Sequence, residues 1–282
     1  MIILYLIIFI FTLINQDLSK EIIINTSITF FSTIYPILFP SIFLLYLINN
    51  NYYYQLLLIK IYPLFKKLFN ISSPISLGLI ISSILIGAPS STILIINAIK
   101  NNQISKNEGY NIIYSFSMLS ISYSIFILNK FNISILYLII YILLSIIYFR
   151  IINKINSEYK FSPIKNKAIL IIKDGIYSAF KAIFSILGMC IFFRYLLMLI
   201  PIKTLDSYIE ILIGLNELNN INLDLEIKKI IVISSLIFTG LSVIFQILSI
   251  DDDISIIRLI KNKLIIMIFI VLFFLFNSCF FT

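Results

Sequence analysis

A run of small and hydroxylated residues, Gly87-Ala-Pro-Ser-Ser-Thr92, interrupts the apolar stretch from Ile75 to Ile99. Because Pro89 has no amide N–H and its ring clashes with the preceding turn, a continuous helix cannot pass through it undisturbed. The run predicts a half-helix that begins at Pro89 with hydroxyls beside its exposed amides, an arrangement that favours anions. The alternative is a structural kink whose hydroxyls bond back to the helix. The candidate binding residues are Gly87, Pro89, Ser90, Ser91 and Thr92.

A second polar run, Gly214-Leu-Asn-Glu-Leu-Asn-Asn220, also has apolar surroundings. A carboxylate inside a membrane is costly and usually contacts a cation, a proton path or a buried partner, which makes Asn216 and Glu217 candidate site residues. The alternative is a solvated loop at the outer surface.

Arginine is scarce in this chain, and Arg194 is a candidate counter-ion for a solute or for a carboxylate. Its alternative is a side chain that extends to the outer membrane interface.

The third motif, Thr239-Gly-Leu-Ser-Val-Ile-Phe-Gln246, lies inside an apolar segment. Gly240 permits close backbone approach or unwinding. Ser242 and Gln246 are four residues apart and share one helix face. The serine-rich segment 114–124 is its counterpart in the first half, with Ser117 and Ser120 as candidates. Hydrogen bonds between neighbouring helices are the alternative for all of these residues.

Composition places these motifs in a lipid bilayer. Of the 282 residues, 60% are hydrophobic and 12% charged, and the mean hydropathy is +1.06. Apolar runs of membrane-spanning length recur throughout, which predicts a polytopic helical membrane protein. The formal net charge of +8 is a topology signal and does not indicate nucleic-acid binding, because the basic residues flank the apolar runs.

Several kinds of chemistry are not expected. The chain has no histidine, which removes His-based acid–base catalysis and His metal sites. Cys190 and Cys279 lie in apolar segments and are interpreted as small buried hydrophobes. Asp251-Asp-Asp253 suggests a minor alternative, a Mg²⁺-dependent prenyl or lipid enzyme, but such enzymes need several acidic motifs. We therefore expect no enzyme activity, no metal and no cofactor.

The elements that position the motifs follow from hydropathy and loop charge. Two apolar stretches, 75–100 and 205–222, are ambiguous, and 51–70 is typical of an amphipathic interfacial helix. Treating both ambiguous stretches as re-entrant hairpins puts Lys60, Lys66, Lys67, Lys100, Lys106, Arg258, Lys261 and Lys263 on the cytoplasmic side with the basic linker. The predicted full spans are 1–15, 27–48, 109–128, 132–150, 176–200, 229–249 and 262–281.

This topology predicts two halves of opposite orientation. Residues 1–150 form the N-terminal half with the first repeat, 151–175 the cytoplasmic linker, and 176–282 the C-terminal half with the second repeat. Each repeat consists of a hairpin followed by a span, and the N-terminus is cytoplasmic. Inverted repeats of this kind place a solute site near the bilayer midplane, where hairpin tips meet broken spans.

The order of the motifs from about Ser32 to Ile250 resembles the YlbJ type of sporulation integral membrane protein, within the nucleoside-recognition (Gate) group. The resemblance is carried by Tyr35-Pro-Ile-Leu-Phe-Pro-Ser41, Pro63-Leu-Phe-Lys-Lys-Leu-Phe-Asn70, Gly87 with Pro89, Ile104-Ser-Lys-Asn-Glu-Gly109, Gly214 with Glu217, and Gly240-Leu-Ser-Val243 with Gln246. Ser91 stands where the family pattern has a second glycine, and Ile244 stands where a histidine is expected.

The resemblance implies a fold like that of the concentrative nucleoside transporters: about seven full transmembrane helices and two re-entrant hairpins in an inverted repeat. It also implies movement of a small polar or anionic solute, such as dipicolinate, across a membrane around the developing spore. From the cost of a carboxylate inside a membrane, we add the hypothesis that Glu217 binds a coupling cation or proton. A second hypothesis is a non-transporting scaffold of a sporulation or envelope complex. The two differ in whether residues 87–92 and 214–217 meet around a polar cavity.

Overall fold

A computed structural model of the protein describes residues 9–10, 12–154, 163, 167–198 and 206–281, and its regular secondary structure is helical. A π-helical turn, Phe30–Ile34, joins the first two helices into one continuous rod, and a 3₁₀ turn, Leu218–Asn220, follows α11. The helices are α1 (Gln16–Thr29), α2 (Tyr35–Asn49), α3 (Tyr52–Phe69), α4 (Pro74–Ile86), α5 (Ser90–Lys100), α6 (Lys106–Phe116), α7 (Ile121–Lys130), α8 (Leu136–Ile152), α9 (Ala168–Met198), α10 (Asp206–Ile209), α11 (Ile211–Glu217), α12 (Leu225–Phe238), α13 (Gly240–Leu248) and α14 (Ile256–Phe281).

Long apolar helices confirm the prediction of a helical membrane protein. By length and composition, four described segments could cross a bilayer: Gln16–Asn49, Ala168–Leu197, Leu225–Leu248 and Ile256–Phe276. A fifth is added if α3 and α4, which meet at an angle of 77°, are counted together. The predicted spans 27–48, 176–200, 229–249 and 262–281 overlap these segments. The first predicted span, 1–15, lies mostly outside the described residues.

The segment Leu225–Leu248 is at the centre of the fold. Of its most apolar 18 residues, 72% are buried, compared with 17–33% in the other three segments. Those three expose large apolar side chains along their outward faces, as expected for helices that contact lipid. The α1–α2 rod packs along α9, with the Phe39 and Phe180 rings 5.1 Å apart and the Tyr195 hydroxyl donating to the Ser19 carbonyl.

The predicted amphipathic helix at 51–70 corresponds to α3. Asn51 caps it by accepting from the amides of Tyr53 and Tyr54, and Asn70 ends it in the left-handed conformation with φ = 54°. Leu58 is buried against α4, whereas Leu64 is 77% exposed. One face therefore packs on the bundle and the other remains free for an apolar environment.

Polar contacts gather several loops at one end of the molecule, called here the basic end. Asn70 and Asn153 bond to each other's backbone carbonyls, and Asn111 donates to the Asn153 side chain at 3.2 Å. Lys106 pairs with Asp253 at 2.6 Å. The end of α3, the start of α6, the start of the linker and the loop after α13 thus lie together, as the charge pattern predicts.

The segment from α4 to α5 enters and leaves at this end. The Ser72 amide, just before α4, donates to Glu108 at 2.9 Å, and the Ser72 hydroxyl donates to the same carboxylate. At the other end of the segment, a Cβ added to Gly109 would lie 2.5 Å from Ile99 Cδ1. Since both ends of residues 74–100 lie beside the first turn of α6, α4 and α5 form a helix hairpin, called the first hairpin.

A second, shorter hairpin is formed by α10 and α11. A Cβ added to Gly214 would lie 2.6 Å from the Ser207 amide nitrogen, so α11 folds back directly onto α10. The turn between the two helices is at Glu210. The expectation of a polar tip at Gly214–Asn220 is therefore wrong: Gly214 is inside α11, where its missing side chain allows the two backbones to touch.

Candidate functional site

The turn of the first hairpin meets a break between α6 and α7. Gly87, with φ = +75°, pairs with Leu119 in an antiparallel bridge, and the Ala88 amide donates to the Met118 carbonyl at 2.7 Å. A Cβ at Gly87 would lie 2.3 Å from the Ser120 amide nitrogen. Both the positive φ and the backbone contact require glycine here. The predicted break at Gly87–Pro89 therefore contacts the backbone of a second broken helix.

The second hairpin meets a break in the same way. Thr239, with φ = +66°, separates α12 from α13, and Gly240 follows with φ = +71°. A Cβ at Gly240 would lie 3.0 Å from Ile211 Cβ, at the start of α11. The hydroxyls of Ser207 and Ser235 are 2.9 Å apart and link α10 to α12. Each hairpin turn therefore packs against the break of the helix pair that follows it, with a glycine at the contact.

A small central cavity lies where the two arrangements meet. The Tyr123 hydroxyl, fully buried at the start of α7, donates to the Leu212 carbonyl of the second hairpin at 2.7 Å. The cavity has a volume of about 20 Å³, enough for one water molecule. Its lining includes Ala88, Pro89, Ser90, Leu119, Ser120, Tyr123, Leu212, Val243 and Gln246.

Gln246 is the unsatisfied polar group of this cavity. Its side chain is 2% exposed, and neither its amide nitrogen nor its amide oxygen has a hydrogen-bond partner within the described residues. A buried polar group left without a partner costs about 1–3 kcal/mol. An amide that carries this cost and lines a cavity is suited to a ligand or a bound water that supplies the missing bonds.

A larger cavity, called the vestibule, connects this centre to the basic end. It has a volume of about 500 Å³, within the range of small-molecule sites. Pro89, Ser90 and Gln246 line both cavities, so the two adjoin. From there the vestibule extends along α5 and α9 to Lys100 and Lys181, whose side chains are exposed at its mouth.

The structure brings four predicted site residues to the central cavity, namely Pro89, Ser90, Ser120 and Gln246. Gly87 and Gly240 form the backbone contacts described above. The remaining buried candidates, Ser91, Thr92, Ser117 and Ser242, are not among the described residues that line either cavity. Asn216 and Glu217 end α11, and their side chains lie outside the described part of the chain.

The carboxylate at the turn of the second hairpin is Glu210, a residue that the sequence argument missed. It is fully buried and accepts hydrogen bonds from the Cys190 thiol at 3.3 Å and from the Leu212 amide at 3.2 Å. Arg194 lies one turn beyond Cys190 on the same face of α9. The sequence feature that could have identified Glu210 as the buried carboxylate is the isoleucine on each side of it. Glu217, in contrast, has the more polar neighbour Asn216.

Lys263 lies deeper than predicted, since the sequence placed it at the cytoplasmic start of the span 262–281. It is 1% exposed, and its ammonium donates to the Ser117 carbonyl at 2.6 Å and to the Thr239 hydroxyl at 2.8 Å. The reason is that α14 begins at Ile256, after Ser255 caps its first turn, and not at residue 262. Lys263 is therefore two turns inside the helix and bridges the two helix breaks, one between α6 and α7 and the other between α12 and α13.

The acidic run Asp251–Asp253 occupies an exposed loop at the basic end. Asp253 pairs with Lys106, and this hydrogen bond raises the pKa of Lys106. Among the described residues, no group of three Asp, Glu, Cys or His side chains is placed to hold a metal ion.

No family model, curated protein or solved structure matches this chain.

Proposed function

We propose that the protein moves a small polar anion across a membrane through a site between two re-entrant hairpins arranged as an inverted repeat. The observation that carries this proposal is the unpaired amide of Gln246 in a cavity that adjoins the vestibule. Other buried polar atoms without partners among the described residues, such as the Ser145 hydroxyl, do not line either cavity, whereas the Gln246 amide lies beside open space that a solute or water can fill.

The opposed directions of the hairpins support the inverted repeat. The first hairpin starts and ends at the basic end, beside Glu108 and Gly109. The second contacts α12 and α13, and the end of α13 returns to the basic end, where Ser249 lines the vestibule. The second hairpin therefore reaches the centre from the opposite side. Hairpins that meet broken helices at mid-depth are the arrangement of transporter sites.

Helix ends and lysines support an anionic solute. The N-terminal residues of α5 and α7, and the first turns of α13, line the central cavity. Each of these helices has at least nine residues, so its positive end faces the centre. Lys100 and Lys181 add positive charge at the mouth of the vestibule. A small carboxylate would thus meet favourable potential along this path.

The positive-inside rule places the basic end in the cytoplasm, so the vestibule faces inward. A conformation open on the other side would then require separation of Tyr123 from the second hairpin, which now closes the centre. Dipicolinate, the solute implied by the resemblance to the sporulation proteins, is a small dicarboxylate for which the vestibule has room; in this conformation the central cavity does not. A role at a membrane around the developing spore belongs to this same proposal.

Uptake into proteoliposomes tests the proposal. Radiolabelled dipicolinate is the anionic probe and uridine is the neutral comparison. We expect uptake of dipicolinate above the empty-vesicle background, loss of most of it in Gln246→Met, and full uptake in Ser145→Ala. Ser145 is the matched control because its hydroxyl is also buried and unpaired among the described residues but does not line the cavities. Equal uptake by Gln246→Met, or background uptake of both probes by the wild type, would favour a scaffold instead.

A further inference from the structure

Lys263 of α14 lies between the two helix breaks, one after α6 and the other after α12. Its ammonium is buried and contacts one oxygen from each break, the Ser117 carbonyl and the Thr239 hydroxyl. Both oxygens are neutral. A buried ammonium is costly unless it is fully hydrogen-bonded, so a chain keeps one only where its charge is used.

The oxygens around Lys263 belong to helix ends that carry partial negative charge. Helix α6 ends at Phe116, and its last carbonyls have no partner inside the helix. Asn262 donates to the Tyr114 carbonyl and Lys263 to the Ser117 carbonyl, so adjacent residues of α14 serve this one end. Helix α12 ends at Phe238, immediately before Thr239. A cation between two helix C-termini is stabilised by both dipoles.

Carbonyl and hydroxyl oxygens at the C-terminal ends of unwound helices are also the groups that hold a free Na⁺ in transporters with broken helices. Lys263 already fills this position with a charge attached to the chain. We propose that the Lys263 ammonium is a tethered cation that replaces a free coupling cation at the junction of the two breaks. If the proposed transport function holds, solute movement therefore requires no Na⁺.

The arrangement separates two roles at the centre of the molecule. The helix starts of α5, α7 and α13 face the central cavity, whereas the ends of α6 and α12 face Lys263. Lys263 lines neither cavity among the described residues, so it is a positioning residue that fixes the two breaks and does not touch the solute. A cation supplied from solution should replace it once the side chain is removed.

The test measures the Tm of purified protein in nanodiscs and does not depend on transport. Lys263→Ala removes the ammonium and leaves room for a small cation. We expect a lower Tm than that of the wild type, and a rise with n-propylammonium that saturates, because a ligand that binds only the folded state stabilises it. Lys261→Ala is the matched control, since Lys261 is an exposed lysine of the same helix, and its Tm should not respond to n-propylammonium.

Two outcomes overturn the proposal. The first is a Tm of Lys263→Ala that responds to n-propylammonium no more than that of Lys261→Ala. The second is a wild-type Tm that is higher in NaCl than in choline chloride at equal ionic strength. Na⁺ cannot bind at a position that the Lys263 ammonium already occupies, so the proposal predicts no such difference. This second measurement decides the matter even if Lys263→Ala does not fold. Failure of the uptake assay with the expected Tm pattern would reject the transport function and leave the tethered cation intact.

Discussion

Replacing Gln246 with methionine should stabilise the free protein and weaken its binding of solute. Methionine has nearly the same length and shape but no amide. In the free protein both amide atoms of Gln246 are buried without partners in the described part of the chain. Because the substitution removes these unpaired polar atoms, it should raise the free energy of unfolding by about 1–3 kcal/mol.

The effect on binding has the opposite sign. A hydrogen bond between an amide and a charged group contributes about 1.5–3 kcal/mol. Loss of one such bond to a carboxylate corresponds to an increase in Kd of roughly 10- to 150-fold. Stability and affinity therefore change in opposite directions, a combination that general damage to the fold cannot produce.

The assay combines thermal unfolding in nanodiscs with titration of dipicolinate. Ser145→Ala provides the comparison, because it removes another buried, unpaired hydroxyl at a distance from the cavities. We expect Ser145→Ala to retain the wild-type Kd. A Gln246→Met protein that unfolds at a clearly lower temperature would show that the amide already has partners in the free protein. That result would refute the reasoning.

Three further substitutions test contacts of the centre and the basic end by their Tm in the same nanodiscs. Gly87→Ala adds a Cβ 2.3 Å from a backbone nitrogen at a positive φ, so it should cost roughly 3 kcal/mol or more or prevent folding. Tyr123→Phe removes the bond to the Leu212 carbonyl and should cost about 1–3 kcal/mol, because a buried acceptor loses its donor. Lys106→Gln should leave the Tm close to that of the wild type, since its pair with Asp253 is exposed; a large drop in Tm there would contradict the exposed geometry.

Much of the architecture followed from the sequence because it depends on one-dimensional properties. Apolar length predicted the long helices, and Pro89 with Gly87 predicted the first break. Loop charge predicted which loops lie together, and the contact between Lys106 and Asp253 agrees with it. The four-residue spacing of Ser242 and Gln246 predicted a shared face, but only Gln246 reaches the cavity.

The errors arose where tertiary packing decides. Glu210 and Glu217 are both acids in an apolar context, and only the contact of Gly214 with α10 shows that the chain turns at Glu210. In the positive-inside count, Lys263 has the same weight as a lysine in a loop. Its burial depends on where α14 begins and on two oxygens from residues far away in the chain. No local pattern encodes such partners.

The first hairpin is held at both of its extremities. Its base is fastened through Ser72 to Glu108, and its turn is fixed against residues 118–120 by backbone contacts that leave no space for a side chain. A hairpin that is restrained at its base and at its turn is not expected to move relative to α6 and α7. If the protein transports a solute as proposed, the vestibule must widen or close from its facing surface, where α9 contributes Lys181 and Tyr177. Under the proposed transport function, a cross-link between α5 and α9 should therefore arrest solute movement, whereas one between α4 and α6 should have no effect.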